Sequence, residues 1–455
     1  MKKKKVVITY GTFDLFHEGH YRLLKRAKEL GDYLIVGVTS EKYDKERGKL
    51  NVAQSLAERI ENVKKTGFAD LVIVEEYEGQ KIDDIQKYNA DIFAIGSDWI
   101  GKFDYLKEYC EVVYLERTKG ISSTQLRNER FSIIKMGVVG YGRIAERFIL
   151  ESKFVSGINI EGVYGLNKEK MKVFCEKNEL AWYTDSYIDF LNKVDAVYTA
   201  SPHSTHFEYA YEALLNRKHV LCEKPLTLSR EQAKQLYNLA QEKQCVLLEG
   251  IKTAYCPGFK KLISIAKSGI IGNIKFVDAT FTKLIKDKTS REFDKNNGGG
   301  SVTELASYVL LPAVKIFRCS AKDISFSACV DPETGVDIFA HINIAYDRGV
   351  FSGKVGIGAK AEGSLIIGGT EGYIYVPSPW WKTEYFEVRD DNGVPVKKYL
   401  EVFHGDGLRY EIAEFVHLIQ NKKITSYNLK PEESIFIIDV IEKFFNDEKV
   451  IKIPR

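Results

Sequence analysis

Tyr10-Gly11-Thr12-Phe13-Asp14-Leu15-Phe16-His17-Glu18-Gly19-His20 joins a short β-branched run, Val6–Tyr10, to a helical pattern over Tyr21–Leu30. A buried strand feeding a glycine-marked turn and then a helix is the repeating piece of parallel α/β folds. The pattern continues outward: Tyr33–Thr39, Leu71–Val74, Ile92–Gly96 and Val112–Leu115 read as strands and Leu56–Lys65 as a helix. Strands that are apolar throughout, alternating with helices, imply a parallel sheet covered on both faces.

Near Phe131 the pattern restarts without a Gly/Pro-rich linker, at Ile133-Ile134-Lys135-Met136-Gly137-Val138-Val139-Gly140-Tyr141-Gly142-Arg143-Ile144-Ala145. Strand candidates follow at Ile160–Tyr164, Ala196–Ala200, His219–Cys222 and Val246–Leu248. Helices are expected at Ala145–Ser152, Lys168–Lys177, His206–Asn216 and Arg230–Lys243. After about residue 273 the texture changes to Ile274–Phe281, Asp337–Tyr346, Val350–Val355, Gly363–Gly368 and Tyr373–Val376, with few helices between, which predicts a largely antiparallel sheet. Pro431–Phe445 reads as a closing helix that packs back. The expected architecture is α/β: a Rossmann-like domain over 1–130, a doubly wound dinucleotide-binding domain over 131–252, and an α+β open-sheet domain over 253–455.

A chain of 455 residues has room for about three domains. It is 44% hydrophobic and 28% charged, with a formal net charge of +3. That balance argues against a nucleic-acid binder, which concentrates positive charge. The one basic run, Lys2 to Lys5, reads as a solvated lead into the first strand. Seven cysteines show neither CxxC pairing nor metal spacing, as expected of a reducing cytoplasm. No stretch approaches the ~18 apolar residues of a membrane span.

His17 and His20, three apart at a strand-to-helix turn, place two rings on one face over a helix N-terminus, where an anion is favoured. Gly19 lets a phosphate approach the backbone. Surface histidines or metal ligands are the bland alternative. Arg117-Thr118-Lys119-Gly120-Ile121-Ser122-Ser123-Thr124 combines cations, a glycine and hydroxyls ahead of a helix, again fitting phosphate; a plain Ser/Thr cap explains it equally well. Together with Gly96-Ser97-Asp98-Trp99-Ile100-Gly101-Lys102-Phe103-Asp104, these motifs resemble the glycerol-3-phosphate cytidylyltransferase family over roughly residues 4–129. The resemblance implies attack of an alcohol phosphate on CTP, assisted by Mg2+, giving a CDP-alcohol and pyrophosphate. It assigns catalysis to His17, His20 and Arg117, with Lys49, or Lys45, as the loop lysine. It assigns CTP contacts to Tyr10, Gly11, Thr12, Phe13, Asp14, Gly19, Asp98, Trp99, Ser122, Ser123 and Thr124. The loop Lys45–Asn51 differs in length from the glycerol-phosphate prototype, which leaves the acceptor open. Arg59, on the next helix, reads as a structural or substrate-side cation.

Gly140-Tyr141-Gly142-Arg143-Ile144-Ala145 is a GxGxxA turn between strand and helix, a dinucleotide signature in that context. Cofactor contacts are expected at Gly140, Gly142, Arg143, Ile144 and Ala145, then at Asn167 after the second strand. Asn167 could meet ribose and Lys168 a phosphate, so NAD and NADP both remain open. Ser201, Pro202, His203 and His206 follow one strand, Glu223 and Lys224 the next, all at strand ends where ligands of open α/β sheets bind. A lysine beside a nicotinamide can protonate a carbonyl oxygen under reduction; the bland alternative is a surface lysine at a turn. With Glu249-Gly250, Gly298-Gly299-Gly300-Ser301 and Gly407-Leu408-Arg409-Tyr410-Glu411, the set resembles the glucose–fructose oxidoreductase/inositol dehydrogenase (Gfo/Idh/MocA) family over roughly 134–450. In this resemblance Glu304 stands where many members have Asp, Ala306 replaces a glycine, and Tyr308 occupies a His/Tyr position. Lys224 and Tyr308 are the expected catalytic pair, Tyr308 as core packing being the alternative.

The expectation is a bifunctional cytoplasmic enzyme of CDP-polyol synthesis, serving a capsule polysaccharide or teichoic-acid-like polymer. One half would reduce a ketose or keto-phosphate with NAD(P)H; the other would couple the polyol phosphate to CTP. Alternatives are a reductase acting on the CDP-linked sugar and a non-catalytic NAD(P)-binding module. Both families imply a homodimer or homotetramer.

Overall fold

The computed structural model describes residues 4–46, 49, 52, 54–77, 79–116 and 133–453. The expected sites at Arg117, Ser122, Ser123 and Thr124 lie outside the described residues, as does the side chain of Asp98. Contacts group the chain into two compact units, Met1–Ile133 with Lys153–Ile158, and Ile134–Ser152 with Asn159–Arg455.

The first unit runs β1 (Val6–Gly11), α1 (Glu18–Glu29), β2 (Tyr33–Thr39), α2 (Glu41–Glu46), α3 (Leu56–Lys65), β3 (Leu71–Glu75), α4 (Gln80–Lys87), β4 (Ile92–Gly96) and β5 (Glu111–Leu115). Its five strands are ordered β3-β2-β1-β4-β5, and every pairing is parallel. Alternate residues feed two separate cores. Val7, Val36 and Ala94 pack on one side, and Ile8, Ile35 and Phe93 on the other. Burying each such Val, Ile or Phe side chain contributes about 1.5–3 kcal/mol, so both faces must be covered by helices. The strand order reverses between β1 and β4. The loops leaving those two strands, Thr12–His17 and Ser97–Trp99, therefore flank the crevice where open α/β sheets take ligands.

The second unit opens with β6 (Ile134–Val139), α5 (Arg143–Ser152), β7 (Ile158–Tyr164), α6 (Lys168–Asn178), β8 (Trp182–Thr184), α7 (Tyr187–Asn192), β9 (Ala196–Thr199), α8 (His206–Leu215), β10 (His219–Glu223), α9 (Arg230–Lys243) and β11 (Leu247–Gly250). These strands order as β11-β10-β9-β6-β7-β8, the doubly wound arrangement, with the switch between β6 and β9. Then come α10 (Pro257–Lys267), β12 (Ile274–Thr282), α11 (Ser301–Phe317), β13 (Ala321–Val330), β14 (Asp337–Tyr346), β15 (Val350–Gly356), β16 (Leu365–Gly369), β17 (Tyr373–Val376), β18 (Tyr385–Arg389), β19 (Pro395–Leu400), α12 (Leu408–Gln420), α13 (Pro431–Phe445) and β20 (Val450–Ile453).

The last nine strands form one sheet, β19-β18-β17-β16-β12-β15-β14-β13-β20. It is mixed: β12–β15 and β13–β20 are parallel and the other pairings antiparallel. From Ile338 onward burial along β14 alternates residue by residue, so one face is covered and the other is half-buried.

The cover is α11, the helix that the strand-rich reading of this region did not anticipate. Thirteen of its seventeen residues are buried. A helix apolar or small on every side has no polar face to betray its period. By length and composition Lys295–Phe317 would pass as a membrane span, but most of it is buried in this unit. The final helix α13 packs against α9 and α11, tying the dinucleotide sheet to the mixed one.

Candidate active sites

In the first unit the turn after β1 is held in an unusual backbone. Phe13 and Leu15 both have positive φ, 52° and 46°. Such conformations persist only where surroundings over-determine them. Here the Arg59 guanidinium, fully buried, donates to the carbonyls of Thr12 and Thr39 at 2.9 Å each, and to Asp44 Oδ2 at 3.2 Å. Asp44 Oδ1 in turn accepts the Thr12 and Thr39 hydroxyls. Asp14 accepts the Gln54 amide at 2.9 Å, and Gln54 Oε1 accepts Leu15 N at 2.9 Å. Arg59 is thus structural: it is the buttress of the loop.

The buttress presents the histidines. His17 is the N-cap of α1, its Nδ1 accepting from Gly19 N at 3.0 Å. The His17 and His20 rings stack with centroids 3.8 Å apart and planes 20° off parallel. Gly19 is required at this approach, since a Cβ there would stand 2.9 Å from His17 Cε1. Phe13 and Phe16 flank His20 at 5.4 Å each. Two imidazoles at a helix N-terminus can offer hydrogen-bond donors to an anion.

Tyr10 and Phe13, expected among the CTP contacts, place their side chains in the core instead, 4% and 1% exposed. The Tyr10 hydroxyl donates to Asp84 at 2.8 Å, and burial, then Asp84, push its pKa far up. The strand's alternation explains this, because Tyr10 points to the sheet face opposite the loop. Lys49 lies near the loop, its amide bonded to the carbonyl of Asp44 at 2.8 Å. Trp99 packs on Phe103 at 5.8 Å, and the Lys102 ammonium lies 5.0 Å over its ring.

In the second unit Gly140 has φ +100°, and a Cβ there would lie 2.7 Å from the Ala200 carbonyl. The loops after β6 and β9 therefore close together only through a glycine. Gly142, by contrast, has no heavy atom within 4 Å of a built Cβ, which leaves room at the N-terminus of α5 for a pyrophosphate. Ala145 is buried, and Arg143 is exposed with its guanidinium 3.6 Å from Glu292. Asn167 does not stand free for ribose: its Oδ1 caps α6 by accepting Lys170 N at 2.9 Å. Lys168 pairs with Asp185 at 2.9 Å.

His206 is a tie between loops. Its Nδ1 faces the Pro225 carbonyl at 2.8 Å and its Nε2 the Ser201 carbonyl at 3.0 Å. Burial lowers its pKa to about 4, so at neutral pH one of these contacts is a donated bond. His203 is buried, held well below its ordinary pKa by burial, and approached by Arg291 at 3.1 Å. Pro202 starts the 3-10 turn His203–Thr205, and Thr205 donates to the Ser201 hydroxyl at 2.8 Å. Glu223 is buried under the site, accepting the Tyr198 hydroxyl at 2.6 Å rather than facing a cofactor.

Lys224 and Tyr308 do come together. The Lys224 ammonium donates to the Glu304 carbonyl at 2.8 Å and lies 3.6 Å from Glu304 Oε2 and 5.8 Å from the Tyr308 ring centroid. Burial, then Glu223 and Glu411, raise the Tyr308 phenol well above its usual range, so it stays protonated. The replaced acid therefore still reaches the lysine: the longer Glu304 spans from the first turn of α11. Its other oxygen lies 2.9 Å from Arg291, a residue that spacing alone did not pick out. Arg291 sits in the irregular segment between β12 and α11, where no periodicity marks it; its place seven residues before Gly298 is the only signal. Among the described residues no three metal-ligating side chains converge.

Two family profiles match, cytidylyltransferase-like over residues 8–129 and the oxidoreductase family with NAD-binding Rossmann fold over 134–251. Glycerol-3-phosphate cytidylyltransferase of Bacillus spizizenii is 52% identical over 129 residues, 28% of this chain and 99% of that protein. The NADP-dependent scyllo-inositol 2-dehydrogenase of Bacillus subtilis is 25% identical over 330 residues, 68% of this chain and 96% of that protein. The fold of a 3-ketoreductase from Actinomadura kijaniata, solved with NADP and TDP-benzene, superposes with a TM-score of 0.64 at 19% identity, covering 71% of this chain and 99% of that one. The chain thus belongs at its N-terminus to the glycerol-3-phosphate cytidylyltransferase family and carries behind it an NAD(P)-binding oxidoreductase domain of the Gfo/Idh/MocA family, a nucleotidyltransferase and an oxidoreductase in one polypeptide.

Proposed function

We propose that the two units perform two steps toward one product class, a CDP-polyol. Residues 1–130 transfer the cytidylyl group of CTP to a polyol phosphate; residues 131–252 hold NAD(P)H, and 253–455 complete the site that reduces a ketose or keto-phosphate. The observation that carries this reading is the presence, in one chain, of the stacked His17/His20 pair at a helix N-terminus and of Lys224 against Tyr308 and Glu304.

In the first reaction the acceptor phosphate oxygen attacks the α-phosphorus and pyrophosphate leaves. His17 and His20 offer imidazole N–H groups to the oxygens that gain charge. In this reading Lys49 neutralises the acceptor phosphate, and Arg117, Ser122, Ser123 and Thr124 hold the triphosphate. Mg2+, bound with the triphosphate, would neutralise part of its charge.

In the second reaction a bound nicotinamide supplies the hydride. Lys224 hydrogen-bonds the carbonyl oxygen and gives it a proton, Tyr308 stands as the second donor, and Glu304 orients the ammonium. The product hydroxyl belongs to the polyol phosphate that the first unit consumes. We assign the enzyme to the cytoplasm, as a homodimer or homotetramer, feeding a surface polymer of the capsule or teichoic-acid type.

The test is direct. The full chain is incubated with CTP, Mg2+ and a panel of three- to six-carbon polyol phosphates, and pyrophosphate is assayed; NAD(P)H oxidation is then followed with the matching keto-phosphates. Turnover of one polyol phosphate and of its own keto form is the expected result. Pyrophosphate release with no member of the panel removes the first step. NAD(P)H oxidation only with a CDP-linked ketone reverses the order of the two steps.

A further inference from the structure

Glu411, in the first turn of α12, is fully buried, and neither carboxyl oxygen has a hydrogen-bond partner among the described residues. Its position is fixed by its neighbours. A Cβ built on Gly250 would stand 3.7 Å from Glu411 Oε2, and Gly250 is the register partner of Glu223 across β10 and β11. Glu411 therefore approaches the strand end that carries Glu223 and feels its charge. The two carboxyls are not equivalent: Glu223 accepts the Tyr198 hydroxyl at 2.6 Å and the Lys224 amide at 3.3 Å, donors that favour an anion.

The surroundings offer Glu411 nothing comparable. The Lys252 ammonium, from the turn after β11, faces both carboxyls but is bonded to the Asp406 carbonyl. Glu151, at the end of α5, adds negative charge but is clamped by Arg409 at 2.7 Å. The phenols of Tyr198, Tyr255 and Tyr308 and the Cys256 thiol all lie within the field of Glu411. A buried, unpartnered carboxylate beside a second one costs far more than the neutral acid. Burial and then Glu223 push the Glu411 pKa well above the carboxyl range.

We propose that Glu411 holds a proton in the resting protein while Glu223 is ionised, one proton between the two acids, a store behind the Lys224–Tyr308 site. This rests on the reading of those two residues as the proton donors. On reduction the carbonyl carbon gains a hydride and its oxygen takes a proton from the Lys224 ammonium. The Tyr308 phenol, whose ring lies 5.8 Å from the Lys224 ammonium and which stands in the field of both carboxyls, then passes a proton to the amine and regains one from Glu411. The pair is left doubly ionised until product departs and solvent restores its proton. Net, one hydride and one proton are consumed per carbonyl reduced.

The test begins with the full chain and no ligand. Infrared absorption of protonated carboxyl groups is followed across pH in the wild-type chain, Glu411→Gln and Glu223→Gln. Glu249 and Asp337, whose pKa values burial raises to about 7, lose their share of the band by about pH 9. A wild-type band that survives there, is absent in Glu411→Gln, and is lost at lower pH in Glu223→Gln is the expected result. No surviving band, or an undiminished one in Glu411→Gln, overturns the proposal. Should Glu411→Gln not fold, the downward shift in Glu223→Gln decides alone. With a turned-over carbonyl in hand, Glu411→Gln lowers kcat about tenfold, leaves KM in place, and flattens the alkaline fall of the wild-type pH profile. Unchanged kcat with an unchanged profile removes the store's role in turnover. The infrared result stands whether or not a carbonyl substrate is found, so it separates this proposal from the assignment of the donors.

Discussion

The two sites are built on opposite plans. The first has a local centre: His17, Gly19 and His20 lie within four residues, at one turn and one helix start. The second is dispersed: Lys224, Arg291, Glu304, Tyr308 and Glu411 come from strand ends, an irregular segment and two helices across nearly 190 residues, and meet only in the folded unit. A local site depends on backbone strain held by a buttress; a dispersed one depends on long-range packing and on buried charge. Variants should therefore separate the two reactions, and stability changes should fall on different physical terms.

The largest effect is expected from Lys224→Ala, which removes the proposed proton donor. NAD(P)H oxidation should fall about 10²–10⁴-fold while CTP-dependent pyrophosphate release stays unchanged. Equal loss of both reactions would mean the sites are not separate. His17→Ala is the mirror image, with cytidylyl transfer down about 10²–10³-fold and reduction untouched, measured in the same preparation. Gly140→Ala follows on the stability side. Both its φ of +100° and the 2.7 Å approach to the Ala200 carbonyl resist a side chain, so the second unit should lose about 1–3 kcal/mol in denaturant unfolding. An unfolding midpoint equal to wild type would show that the β6 and β9 loops can part freely.

A fourth expectation concerns pH. Glu249 and Asp337 are raised by burial to about 7 from ordinary carboxyl values. The native state therefore keeps protons that the unfolded chain has lost. Their contribution to stability is full below about pH 4 and declines as pH rises through about 7. Thermal unfolding followed between those limits should show the second unit weakening with pH, and Asp337→Asn should reduce that slope. A slope of the opposite sign would contradict the burial argument.

The same contrast governs what could be read in the chain before folding. The parallel sheets were legible because doubly covered strands are apolar throughout, and the histidine turn because all its parts are adjacent. The α11 helix was not, because small and apolar residues on every side leave no period. Tyr10 and Phe13 were placed at the ligand because motif position does not say which sheet face a side chain takes. Asn167 has the chemistry of a ribose contact but the position of a helix cap, and the cap takes its carboxamide oxygen. Arg291 carries no local pattern at all. Glu411 stood in plain view in Gly407-Leu408-Arg409-Tyr410-Glu411, yet only burial and the nearness of Glu223 give it a role.

Two independent centres serving one product class can be followed together by supplying the full chain with CTP, Mg2+, NAD(P)H and a keto-phosphate, and measuring NAD(P)H oxidation, pyrophosphate and CDP-polyol. The wild-type chain should make CDP-polyol from the keto-phosphate, Lys224→Ala or His17→Ala alone should make at least about 10²-fold less, and mixing the two variants should restore it. Failure of the mixture to make CDP-polyol, with each variant keeping its own remaining half-reaction, would contradict two centres working through a free polyol phosphate.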